Sequence, residues 1–265
     1  MNNQSITHSS IILPPSIPSI KNKLNVLGLG FILIIKSYTA ILSSKVSLKI
    51  TLEQISQIGF NTLPTVILMT TFSGMVISLE TAKWLEVYGA RDSVGTILCY
   101  TSIIEVAPIF VSFALAAQAG TAITAELAHM QITEQISAIR LANVNPINHL
   151  VATKLSATIY VLPLAIIIGA FFSILGGMIV SNLQANIEYT VYLDSVWRAF
   201  RFKDLLYSLI KGFTIANYII AIHTAFGLST RGGAKELGVS TSLSTIWVIA
   251  GILCIDTVLD YLMYV

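Results

Sequence analysis

Glu105, Lys211 and Asp256 each interrupt a long apolar run, and the three runs are separate. On insertion scales a charge near the centre of a membrane span costs about 2.5–3.5 kcal/mol, so such residues face a bundle interior or a water-filled cavity and pair there. A lysine and two carboxylates allow three uses. They can neutralise one another and simply join helices. They can form a polar patch inside a greasy cavity that meets a charged or zwitterionic headgroup. Glu105 or Asp256 can also serve as the proton or sodium site of an ion-coupled secondary transporter. Lys211 stands early in its run, where its stem can snorkel outward. Asp260, one turn beyond Asp256 and close to the carboxyl terminus, is expected at the outer interface. His223, in the same run as Lys211, reads as a neutral histidine hydrogen-bonded within the bundle.

No catalytic constellation accompanies these charges. His8, His129, His149 and His223 form no HExxH pair, and no GxSxG elbow occurs. Cys99 and Cys254 have no Cys or His at ligand spacing, so neither a metal site nor a disulfide framework is expected. With no GxxxxGK[ST] loop, the chain binds no ATP in the P-loop manner. No cofactor of its own is expected.

The elements that must position the charges are membrane helices. Of 265 residues 55% are hydrophobic and 11% charged, with a mean hydropathy of +0.80, outside the range of soluble domains. A formal charge of +2 without a Lys/Arg-rich run gives no grip on nucleic acid. Stretches of about 20 apolar residues, enough to cross a hydrocarbon core of about 30 Å, predict five spans: Ile58 to Leu79, Val94 to Ala125, Leu155 to Val180, Leu205 to Leu228 and Thr241 to Tyr264. Pro108 should kink the second. Asn25 to Leu42 is apolar but broken by Gly28, Gly30 and Lys36, and is read as an interfacial helix with a sixth span as the alternative. The expected organisation is a flexible tail over 1–24, an interfacial amphipathic region over 25–49 and a membrane domain over 50–265. No signal peptide or transit-peptide signature is read at the start. A cytoplasmic amino terminus puts Arg140, Lys154, Arg231 and Lys235 on the inner side with the early lysines. Lys83, Arg91, Arg198, Arg201 and Lys203 then lie outside, a modest bias of the right sign.

Between the second and third spans runs ELAHMQITEQISAIRLANVNP, Glu126 to Pro146. Met130, Ile132, Ile136 and Ile139 fall mostly at steps of three and four and so line one stripe of a short amphipathic helix. Thr133 can cap an orphan amide, Glu134 sits where the helix dipole favours an anion, and Asn145 before Pro146 stops the helix. Just before it, Ala116, Gly120 and Thr124 recur at every fourth position, a small-residue surface for close helix contact within the chain or at a dimer seam.

The ordered series FSGMVISLE (Phe72 to Glu80), EVAPIF (Glu105 to Phe110), AGTAITAELAHMQITEQISAI (Ala119 to Ile139), NPINHLVATKL (Asn145 to Leu155), SLIKGF (Ser208 to Phe213) and GGAKELGVSTS (Gly232 to Ser242) resembles the MlaE/YrbE permease family. That family comprises the membrane subunits of ABC-type lipid transporters that work with MCE-domain proteins. The resemblance implies an all-α homodimeric permease whose subunit has an N-terminal interfacial helix, five transmembrane helices and a cytoplasmic coupling helix. Thr133, Glu134, Gln135, Ile136 and Ile139 would dock into a cytoplasmic or stromal ATPase. Glu105, Lys211 and Asp256 match polar positions of the family's lipid cavity. Where many members have arginines, this chain has Ile104 and Gln118, which leaves room for a neutral glycolipid or a zwitterion as cargo. A composition rich in Ile, Asn and Ser, without a transit peptide, fits a plastid-encoded chain, for which the resemblance implies a plastid inner envelope membrane, with a bacterial inner membrane as the alternative.

Overall fold

The structure, a computed structural model, describes residues 20–44 and 46–264. Most of the tail expected over 1–24 lies outside the described residues. Among these residues every element is helical: α1 (Ile20–Leu42), α2 (Leu48–Val87), α3 (Arg91–Ile132), α4 (Gln135–Leu141), α5 (Ile147–Ala185), α6 (Tyr189–Ala199), α7 (Phe202–Ser229) and α8 (Ala234–Tyr264). Six of them, all but α4 and α6, are long and apolar enough to cross a membrane. α1, expected in the interface with a sixth span as the alternative, meets that requirement through Asn25–Leu42. It buries Val26, Leu29 and Leu33 and packs on α7 and α5. α2, α3 and α5 contain 40, 42 and 39 residues. At 1.5 Å per residue each is about 60 Å long, twice the hydrocarbon core. All three therefore extend past the hydrocarbon core.

α2 and α5 form the most extensive helix pair, and the sequence of α2 explains why. Ile58, Thr62, Val66, Thr70, Gly74, Ser78 and Ala82 are buried and lie four residues apart, so one row of small and β-branched side chains faces α5. Where lipid surrounds the helices, association rests on such close packing and on hydrogen bonds between helices. A Cβ on Gly74 would strike the carbonyl of Ser173, and one on Gly176 the carbonyl of Thr71. The Ser78 hydroxyl bonds the carbonyl of Gly177 at 2.9 Å and the hydroxyl of Ser181 at 2.6 Å.

α3 is interrupted twice by a π-turn, at Ser102–Val106 and Ala116–Gly120. The first precedes Pro108, which has no N–H to give to the carbonyl four residues back, that of Ile104. This expected kink is taken up by the wider turn: the Ala107 N–H bonds Ser102.

Gly74→Ala is expected to destabilise the protein by about 1–3 kcal/mol, because the added methyl overpacks a backbone-to-backbone contact. Gly28→Ala, with nothing within 4 Å of its Cβ, should leave thermal unfolding in detergent unchanged. Equal melting temperatures for the two variants would contradict this packing.

Candidate functional site

α3, α7 and α8 converge on Lys211. Its side chain is 0% exposed, and its ammonium is ion-paired with Asp256 at 3.1 Å, Glu105 at 3.7 Å and, most closely, Asp260. The Nζ also donates to the Ile104 carbonyl at 2.9 Å. That acceptor is available because Pro108 cannot use it. One helix thus supplies both a carboxylate and an unclaimed carbonyl to the same cation.

Glu105, Lys211 and Asp256, expected to meet from their sequence context, do meet. Two expectations are corrected. Asp260 does not reach outward to an interface but turns inward as the closest partner of Lys211. Lys211 does not snorkel; its whole side chain is buried. The signal for Asp260 was its spacing, since a residue four beyond Asp256 shares its helix face. Oxygens of Glu105, Asp256 and Asp260 lie within 4.8 Å of one another, so three carboxylates surround one ammonium. Asp256 is buried, whereas the Glu105 side chain is 41% exposed and opens the cluster to the subunit surface.

The stripe Ala116, Gly120 and Thr124 is buried within the subunit. A Cβ on Gly120 would strike the imidazole of buried His223, whose Nδ1 lies 2.8 Å from the Thr124 hydroxyl and 3.1 Å from that of Ser244. Thr124 can give its proton to the carbonyl of Gly120 or His223, and Ser244 gives its own to Thr241. Both hydroxyls can then accept from Nδ1–H, and His223 pins α3, α7 and α8 together.

At the α4 end, Lys154 sits 3% exposed and pairs with Glu126 at 2.7 Å and Gln54 at 3.2 Å. Lys154, expected on the inner side just before the third span, forms a buried strut joining α2, α3 and α5. α4 follows directly. Ile136 is buried and Ile139 half-buried against the core, while Glu134, Gln135 and Leu141 are exposed. Thr133 does not cap α4. Its hydroxyl bonds back to His129 at 2.8 Å, and Glu134 takes the N-cap position in a left-handed conformation with φ 58°. The helix stops at Leu141, before the expected Asn-Pro; Asn145 instead accepts the N–H of Ile147 and opens α5.

Residues 51–262 match the family described as Permease MlaE. The chain belongs to that family. Among its relatives, a probable ABC transporter permease protein of Pyropia yezoensis is 32% identical over 220 residues, 83% of this chain and 84% of that protein. One of Synechocystis sp. is 29% identical over 235 residues, 89% of each. The protein trigalactosyldiacylglycerol 1, chloroplastic, of Arabidopsis thaliana is 29% identical over 220 residues, 83% of this chain and 63% of its own length. The MlaE-family chain is therefore a multi-pass membrane permease.

Lys211→Ala in this permease would strand buried carboxylates without a counter-charge and should cost about 3–5 kcal/mol. Adding Asp256→Asn and Asp260→Asn should restore much of it. Thermal unfolding checks this, and a triple variant no more stable than the single one would contradict the ion-pair account.

Proposed function

We propose that this chain is the permease subunit of an ABC transporter that moves a phospholipid or glycolipid between its membrane and an MCE-domain partner. The observation that carries this reading is family membership over residues 51–262. In this reading two copies form a homodimer, a separate ATPase binds and hydrolyses the ATP, and the permease itself holds no cofactor. The chloroplastic relative's name favours a lipid cargo and a plastid inner envelope, with a bacterial inner membrane as the alternative.

The coupling role falls to α4. Ile136 and Ile139 fix one side of it to the bundle, leaving Thr133, Glu134 and Gln135 on the surface for the ATPase. A push on α4 is carried into α3, stiffened at its base by the Glu126–Lys154 strut, and along α3 to Glu105. The π-turns at Ala116–Gly120 and Ser102–Val106 lie on that path, places where a helix can change its winding. Glu105, Lys211 and Asp256, joined by Asp260, form the polar patch that meets the headgroup. With its one ammonium already matched by carboxylates, the patch has no surplus positive charge for a purely anionic headgroup and suits a neutral glycolipid or a zwitterion. Gln118, where many members have arginine, is already engaged with Thr65. Ion-coupled secondary transport would use the same carboxylates, but the sequence shows no inverted repeat of the kind many such folds carry.

The tagged chain is expected to co-purify with a P-loop ATPase and an MCE-domain protein. Glu134→Lys should lower ATP-driven lipid transfer roughly tenfold, equivalent to about 1.4 kcal/mol, with membrane insertion intact. Normal transfer by that variant would remove α4 from the coupling role.

A further inference from the structure

α6, the eleven-residue helix between α5 and α7, lies at the end of the bundle opposite α4. We propose that it lies in the plane of the membrane surface, sunk to the boundary between headgroups and acyl chains. Nine of its eleven side chains divide into three arcs, with Val191 exposed beyond the polar one and Ala199 half-buried. Tyr192, Ser195 and Val196 pack against α3. A Cβ on Gly95 of α3 would strike Ser195 and the Tyr192 carbonyl, and the Tyr192 hydroxyl reaches past α3 to donate to the Ile174 carbonyl of α5 at 3.0 Å. Next comes an apolar stripe at steps of four, Tyr189, Leu193 and Trp197, exposed by 47%, 41% and 74%. Beside it, again at steps of four, run Thr190, Asp194 and Arg198, the last two paired at 2.6 Å. A helix at a bundle rim needs one face for protein, one for hydrocarbon and one for water when it rests in an interface.

Lipid is the occupant that the surroundings fit. The apolar stripe continues through Phe202, Leu206 and Ile210, all exposed at steps of four on the spanning helix α7. Trp84 near the end of α2 and Tyr261 near the end of α8 are exposed at the same end of the bundle. With Trp197 and Tyr189 they form an aromatic belt of the kind that marks a membrane–water boundary. Arg198, Arg201 and Lys203 fall within six positions beside it, where long cationic stems reach the phosphate layer.

The test uses the full chain with Trp84→Phe and Trp247→Phe, which leaves Trp197 as its one tryptophan, reconstituted in phosphatidylcholine–phosphatidylglycerol vesicles. Lipids brominated near the glycerol end of the acyl chain should quench Trp197 roughly twofold more than lipids brominated near the terminal methyl, as suits a depth of about 5–10 Å in the interface. Iodide admitted to both sides should quench little. Strong iodide quenching without a bromolipid effect would overturn the proposal by showing a face open to water or to a soluble partner. Quenching by neither would overturn it by showing a face covered by protein. Nitroxides at Leu193→Cys and Thr190→Cys, in a Cys254→Ser background, give an independent readout. Oxygen should relax the first more than a water-soluble nickel chelate does, with the order reversed at the second. The same order at both sites would equally overturn it.

Discussion

The ammonium of Lys211 organises this bundle because it is a full charge with no access to solvent. Held in a span, it has to find carboxylates and carbonyls on other helices, so α3, α7 and α8 cannot be packed independently. α3 contributes doubly. Pro108 breaks its backbone ladder, a π-turn absorbs the break, and the Ile104 carbonyl left over accepts from Lys211. Asp256 and Asp260 approach from one face of α8. The site follows from a single proline and three helices meeting at one cation.

Much of this was legible in the sequence because a membrane makes charge expensive. Glu105, Lys211 and Asp256 stood out from apolar runs for the same reason that they pair. Asp260 escaped because nearness to the carboxyl terminus suggested an exit to water, although its spacing from Asp256 put it on the same face. The burial of Lys154 was not legible, because Glu126 and Gln54, the groups that draw it inward, are distant in sequence. The five expected spans appear as α2, α3, α5, α7 and α8, with ends extended past the bilayer's need, since hydropathy marks what lipid covers and not where a helix stops. α6 is too short and too polar to register as a span, and its three-arc pattern acquires meaning only once Tyr192 is seen packed against α3.

Two polar features frame the path between the ends of the bundle. At the α4 end, the Lys154–Glu126 strut holds α3 and α5 together beneath the short helix. Midway, His223 ties Thr124 to Ser244 and fits only because residue 120 has no side chain. Beyond it lies the Lys211 cluster. In the proposed coupling, a displacement of α4 would be passed along α3 through each of these joints in turn. Force applied at one face would in this way alter a charge cluster near the other.

The cluster's carboxylates are also what an ion-driven carrier would need, and that makes the source of energy decisive. Transfer of a labelled lipid should be measured in proteoliposomes holding the chain alone or with its ATPase, under ATP or under an imposed proton or sodium gradient. Movement is expected only with the ATPase and ATP together. Gradient-driven movement by the chain alone would contradict the assignment of this permease to an ATP-powered machine.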